Sequence, residues 1–498
     1  MRGLSGLLTV VVFMVGAAGL AAEGRFKIAY STYLGGNHWE EAREVIPYPD
    51  GSALVGAHVC SKGLPTTPGC FQPDYAGDDP TRGPGGVVGG DMYFVRLSPD
   101  GRKALAATYF GGSKQERSVY GMELDSRGDI VVACLTRSAD APTTRGCFQP
   151  NFRGDVDMLV AKIAPDLTKL IWCTYVGGSA GESPRGGLAI DRDDSVVVVG
   201  TSPSPDFPTT PGAIQPKLKG PRDSTIVKLK ADGSGLVFST FLGGTGEDDA
   251  IMGARLDTDG NIYVAGHTKS TDFPVAAGAP QTKAGGLSDC YLAKLSPDAS
   301  RIVYATCLGG KRNEFAEHRP WLTPEGCFIL VGPTQSPDFP TTEGAFQREP
   351  KGEGDGFVTK LSADGKRFVF STRLGGSGGE NLLMPTVDAR GNIWVVGNTS
   401  SRDFPVTPDA HQPKFGGGQQ DGLLAVLSPD GSKLLYATYL GGSGDEMIRT
   451  MVFGTKGEVY LAGNTGSPDF PTTPGALQAK LGGGHDAFIV KLVPFMTR

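Results

Sequence analysis

Apolar positions along this chain come in short bursts separated by turn signals, and the bursts return in a fixed order. The continuous apolar run "DAFIVKL" predicts a strand buried on both faces. A turn of the "SPDG" kind leads into "LLYATYLGG", a second strand closed by a glycine pair. A third strand ends at "LDTDG", "VDARG" or "LDSRG", where Asp-x-x-Gly signals a tight hairpin into a fourth, "NIYVAG" or "NIWVVG". A proline-rich stretch, fullest as "SPDFPTTPGALQ" from Ser467, precedes the next apolar run, and its fixed-φ prolines suit a rigid connector from the last strand of one blade to the first of the next.

The order repeats in phase. Thr-x-x-Gly-Gly begins at Thr32, Thr108, Thr174, Thr240, Thr306, Thr372 and Thr438, with a first interval of 76 residues and every later one of 66. The proline-rich motif places its first proline at Pro65, Pro142, Pro208, Pro274, Pro340, Pro405 and Pro471. Seven units of four strands predict an all-β fold, a seven-bladed β-propeller with four antiparallel strands per blade. The chain opens on a second strand, "FKIAYSTYLGG", and closes on a first, "DAFIVKL". Pairing the C-terminal strand with the N-terminal one would seal the ring and remove its exposed sheet edges. Taken together, "STYLGG", "GNIYVAGHT" and "DFPTTPGALQ" resemble the bacterial seven-bladed β-propeller repeat, the SBBP repeat. The resemblance implies an exported propeller and carries no catalytic residues with it.

Composition adds a compartment. One arginine, an apolar run and small residues near Ala21 and Ala22 mark 1–22 as a secretory signal, with an uncleaved anchor as the alternative. Residues 25–498 then form a single propeller domain, secreted or periplasmic, with no membrane span after signal removal. A net charge of -6 argues against a nucleic-acid partner. Eight cysteines without Cys-x-x-Cys suit an oxidising compartment and do not suit a metal. Cys60 with Cys70, Cys134 with Cys147, and Cys290 with Cys307 are candidate disulfides, buried thiols being the alternative.

A residue present in every unit answers a need that every blade shares, so repetition points to scaffold and divergence points to function. The glycine pairs are structural on this rule, and "DTDGN" at Asp257 is a turn. Two acidic sets repeat. One follows each glycine pair: Glu40, Glu116, Glu182, Asp248, Glu314, Glu380 and Glu446. The other opens each apolar strand: Asp91, Asp157, Asp223, Asp289, Asp355, Asp421 and Asp486. If that strand is innermost, the aspartates circle the channel mouth. Neighbours about 7 Å apart would repel by about 2 kcal/mol at an effective dielectric near 20. Capping of loop amides is the favoured compensation, and a divalent cation the alternative metal reading. No other cofactor is predicted. A basic series, Arg96, Lys162, Lys228, Lys294, Lys360 and Lys491, is expected to pair with carboxylates of adjacent blades.

Departures from symmetry are few. Unit one has a long insertion over 73–90 and "NHWEEAR", with His38, Trp39 and Arg43. Unit five has "EFAEHRPWLTPEG", with His318, Arg319 and Trp321. These six are the ligand-binding candidates, arginine and tryptophan being common in hot spots and aromatic faces suiting sugar rings. The expected function is an exported, monomeric, non-catalytic scaffold binding a protein or carbohydrate. The alternative is an extracellular lyase or glycoside-cleaving enzyme using the loop face around the channel.

Overall fold

The computed structural model describes residues 26–494 except 80, 84, 85 and 317, so the signal expected over 1–22 lies outside the described residues. Seven four-stranded antiparallel sheets stand in a ring. Blade 1 is built from Glu40–Pro47, Ala53–Val59, Asp91–Leu97 and Ala104–Phe110, in that spatial order. Blades 2 to 6 follow the same plan. In blade 7, Glu446–Phe453, Val459–Thr465 and Asp486–Pro494 are completed by Phe26–Leu34 from the start of the chain. The register runs from Leu34 opposite Ala487 to Phe26 opposite Pro494, closing the ring as the chain ends predicted.

Apolar side chains are buried between blades. Seven clusters occur, each shared by two neighbouring sheets; Tyr30 and Tyr460 of blade 7, for instance, pack with Val55 and Tyr93 of blade 1. Alternation along each strand feeds both flanking clusters, so the third strand of a blade is apolar on both sides. Asp223–Leu229 is buried along its whole length for this reason. Trp172 and Trp394 belong to these clusters.

Three expectations are corrected. The strand opened by aspartate is third from the axis, not first; the innermost strands begin with the other acidic set, at Glu40, Glu116, Asp248, Glu380 and Glu446. The seven aspartates therefore do not ring the channel mouth. The proline-rich stretch also does not carry the chain between blades. It joins the second and third strands of one blade, looping over the edge strand, as where Thr210 N–H donates to Ser239 O at 3.0 Å. The glycine pair makes the passage to the next blade. Finally, the basic series pairs within its own blade: Lys162 with Asp125 at 2.8 Å, Lys294 with Asp257 at 2.9 Å and Arg96 with Asp50 at 2.8 Å.

Four connectors still fasten neighbours through a backbone hydrogen bond, those at Phe71, Phe148, Phe346 and Leu477. Leu477 N–H of blade 7 donates to Gly101 O of blade 1 at 3.0 Å, and Phe148 N–H of blade 2 to Gly233 O of blade 3 at 2.8 Å. The side chain before the connector's glutamine packs into the interface with the next blade, as Phe71, Phe148, Ile214, Phe346 and Leu477 do.

Candidate functional site

A repeated clasp surrounds every glycine pair. The first glycine N–H donates to the connector glutamine Oε1 in all seven blades, at 2.8–3.1 Å. The second donates to the acidic residue four positions later, at 2.7–3.2 Å. In blades 2 to 7 the glutamine's Nε2 holds the aspartate of the third strand, as Gln215 holds Asp223 and Gln478 holds Asp486 at 2.6 Å, while in blade 1 Gln72 Nε2 donates to Asp74 O. That aspartate also accepts a loop N–H: Ala76 for Asp91, Arg153 for Asp157, Lys219 for Asp223, Gly285 for Asp289, Lys351 for Asp355, Gly416 for Asp421 and Gly482 for Asp486. A Cβ on Gly111 would overlap both Glu116 and Asp91, so close approach is what requires glycine there. Burial raises these carboxyls: Asp91 to about 8, and Glu40, Glu116, Asp157 and Glu446 to about 7.

One residue further along the innermost strand the uniformity ends. The positions after the seven clasp carboxylates are Glu41, Arg117, Ser183, Asp249, Phe315, Asn381 and Met447, seven different side chains. Two positions beyond these stand Arg43, Arg185 and Arg449 in blades 1, 3 and 7. Every inner strand shifts register or is cut short. Blade 2 shifts register between Arg117 and Gly121 with Ser118 at φ 56°. Blade 3 keeps only Leu188–Ile190 as strand, and blade 5 only Trp321–Leu322. Such interruptions re-aim side chains that a regular strand would alternate.

Together they make a basic vestibule at the end where the inner strands begin. It encloses about 600 Å³, lined by Arg43, Arg117, Arg185, Arg222 and Arg449, with Tyr120, Asp249 and His267. Glu41 lies 3.1 Å from Arg43 and also contacts Arg449. Burial alone would raise its carboxyl, but the two guanidiniums outweigh it and hold it at about 2. Asp249 meets Arg222 at 2.9 Å and His267 at 3.1 Å. Burial lowers the His58 and His267 imidazoles to about 4. His318 is driven well below its ordinary range by burial and by the field of Arg43, Arg449, Arg185 and Arg319.

Below the vestibule the channel is barred. Arg319 of blade 5 reaches across the axis to Glu44 of blade 1 at 3.2 Å and Glu123 of blade 2 at 2.9 Å. Arg255 of blade 4 joins at 3.5 Å from Glu123 and donates to Pro320 O at 3.1 Å. Gly253 makes room for the bar, since a Cβ there would overlap the Arg319 side chain. Beyond it opens a second cavity of about 470 Å³, walled by Met122, Met384, Met451 and Phe453. Among the described residues, none lines both cavities.

With this geometry in hand, residues 256–274 match the family described as "Beta-propeller repeat", SBBP. The match spans the second strand of blade 4 and the start of its connector. No curated protein matches the sequence. Among solved structures, a protein of unknown function from Dyadobacter fermentans DSM 18053 is 12% identical with a TM-score of 0.42, covering 94% of this chain and 99% of its own. A europium-containing methanol dehydrogenase is 13% identical with a TM-score of 0.40, covering 94% of this chain and 93% of its own. The quinohemoprotein alcohol dehydrogenase of Comamonas testosteroni is 11% identical with a TM-score of 0.41, covering 93% and 76%. These likenesses carry no argument about activity.

Within the ring the six expected ligand residues fall at three levels. Trp39 and His38 sit on the upper rim, where the Trp39 ring meets His58 at 5.5 Å and the 73–90 insertion hangs its Gly89 carbonyl 2.8 Å from His58 Nε2. Arg43 lines the vestibule, and its guanidinium lies 5.2 Å from the Tyr120 ring centre. His318 and Arg319 form the barrier, while Trp321 faces the lower cavity. Arg117, Arg185, Arg222, Asp249, His267 and Arg449 were not singled out from sequence. The signal was there: they occupy or border the variable positions beside an invariant carboxylate. All eight cysteines are free thiols. Cys290 stands opposite Leu308 and Cys307 opposite Tyr291, so the two lie on opposite sheet faces and cannot bridge.

Proposed function

We propose that this protein is an exported, non-catalytic binding propeller whose ligand sits in the arginine-lined vestibule. One observation carries the reading: the clasp residues recur in all seven blades, while the residues one step along the inner strands differ in every blade and help line a cavity closed below by the Arg319 bar. Binding is favoured over cleavage because, among the described residues, the carboxylates at the vestibule are engaged by arginine. Glu41 is clasped by Arg43 and Arg449, and Asp249 by Arg222. Neither is placed to exchange a proton with a substrate. Export rests on the N-terminal segment 1–22.

The test is a thermal-shift panel of neutral and acidic saccharides and divalent cations, run on the mature chain and on Ser183→Trp. Ser183 lines the vestibule, and tryptophan there would fill it. A compound that stabilises the native chain but not the variant supports the reading. Equal shifts in both proteins, or conversion of a panel saccharide to product, would contradict it.

A further inference from the structure

We propose that the cavity below the Arg319 bar is a second ligand site and that it takes an uncharged, largely apolar small molecule. The proposal goes beyond the vestibule reading and does not depend on it. Divergence between blades is the first argument. Each inner strand ends in a hairpin turn, opened by Tyr48, Asp125, Asp191, Asp257, Thr323, Asp388 and Gly454. Two positions before these stand Ile46, Glu123, Ala189, Arg255, Trp321, Thr386 and Val452, seven different side chains. All but Ala189 line the cavity, each from a different blade. A side chain that no other blade repeats answers no need shared by the scaffold, so the lower cavity meets the same criterion as the vestibule.

Composition is the second argument. Ile46, Leu124, Trp321, Val452 and Phe453 form the walls, and each is half-buried. Clusters between blades hold these side chains from one side, and their remaining surface borders the cavity. Met122, Met384 and Met451 add unbranched, polarisable side chains that adjust to an irregular apolar guest. A volume of about 470 Å³ falls in the range of small-molecule sites. Charge is the third. The polar floor is the bar itself, where, among the described residues, Arg319 and Arg255 face Glu44 and Glu123 at 2.9–3.5 Å. Two charges of each sign are already matched there. A charged ligand would give up its water without gaining an unmatched partner, whereas an uncharged one loses little.

Titration of the mature protein with N-phenyl-1-naphthylamine, an uncharged aromatic probe that brightens in apolar surroundings, tests this. Burial raises the Glu44 carboxyl to about 7, so the titration is run at pH 8, where Glu44 is ionised and the floor is balanced. The probe is expected to bind, and 1-decanol to displace it at a concentration about tenfold or more below that of decanoate or decylammonium. Raising the salt from about 0.05 M to about 0.5 M should not weaken the probe. Val452→Trp and Ile46→Trp fill the cavity from its half-buried walls and should each weaken the probe about tenfold or more. Lys311→Trp adds the same ring at an exposed position outside the channel and should leave binding unchanged. Absence of probe binding, or undiminished binding to a folded Val452→Trp or Ile46→Trp, overturns the proposal. Displacement by decanoate as readily as by 1-decanol overturns the uncharged assignment. The displacement series is read on the native chain, so it decides the matter even where a tryptophan variant fails to fold.

Discussion

Glu116 and Arg117 are neighbours in the chain, yet they belong to two different proteins in a physical sense. Glu116 has a counterpart in every blade, holds a glycine amide and the Thr136 hydroxyl, and is buried. Arg117 occupies a position filled by a different residue type in each blade and faces a solvent-reachable cavity. The belt of clasps solves one folding problem seven times: passing from one blade to the next without leaving buried amides unsatisfied. The channel is free of that problem, so its side chains can differ. A repeat protein therefore separates scaffold and site by a single step along a strand.

The belt can be broken most widely by pH. Burial raises Asp91 to about 8 and Glu40, Glu116 and Glu446 to about 7, all above their unfolded values near 4. Folding thus favours their protonated forms. The stability they contribute is complete below about pH 4 and is lost as pH rises through 7 to 8. Urea midpoints should be higher at pH 5 than at pH 9, and a flat profile would show that the clasp hydrogen bonds cancel the burial term.

Single substitutions should follow in decreasing order. Glu116→Ala strips the acceptor from Gly112 N–H and Thr136, leaving buried donors, and should cost about 3 kcal/mol by urea unfolding. Gly253→Ala pushes a methyl into Arg319 and should cost about 2 kcal/mol while loosening the bar. Lys311→Ala removes only an exposed pair with Asp338, and its effect should stay under about 0.5 kcal/mol. If Lys311→Ala matched Glu116→Ala, the distinction between clasp and surface would collapse.

The number of blades, the strands per blade and the ring closure were legible because in-phase motifs report them directly. Radial order was not. The strongest apolar run marks the strand buried between blades, and the true inner strand reads weakly because it faces a polar channel, as in "EEAREVIP". The Cys290–Cys307 pairing failed through one residue. A bulge between Lys294 and Leu295 shifts the register and turns the two thiols to opposite faces. His318 and Arg319 stood out because unit five breaks the pattern over several residues. Arg185 and Arg449 did not, since each differs from its repeats at one position, and only the folded ring brings them together.

The central claim is that repeated residues hold the fold and divergent channel residues hold the ligand. Ser183→Trp, followed for both melting temperature and the ligand-induced thermal shift across the saccharide and cation panel, tests it most directly. The account predicts a melting temperature within about 2 °C of the native protein and loss of the ligand-induced shift. A variant that melts far lower yet keeps that shift would contradict it.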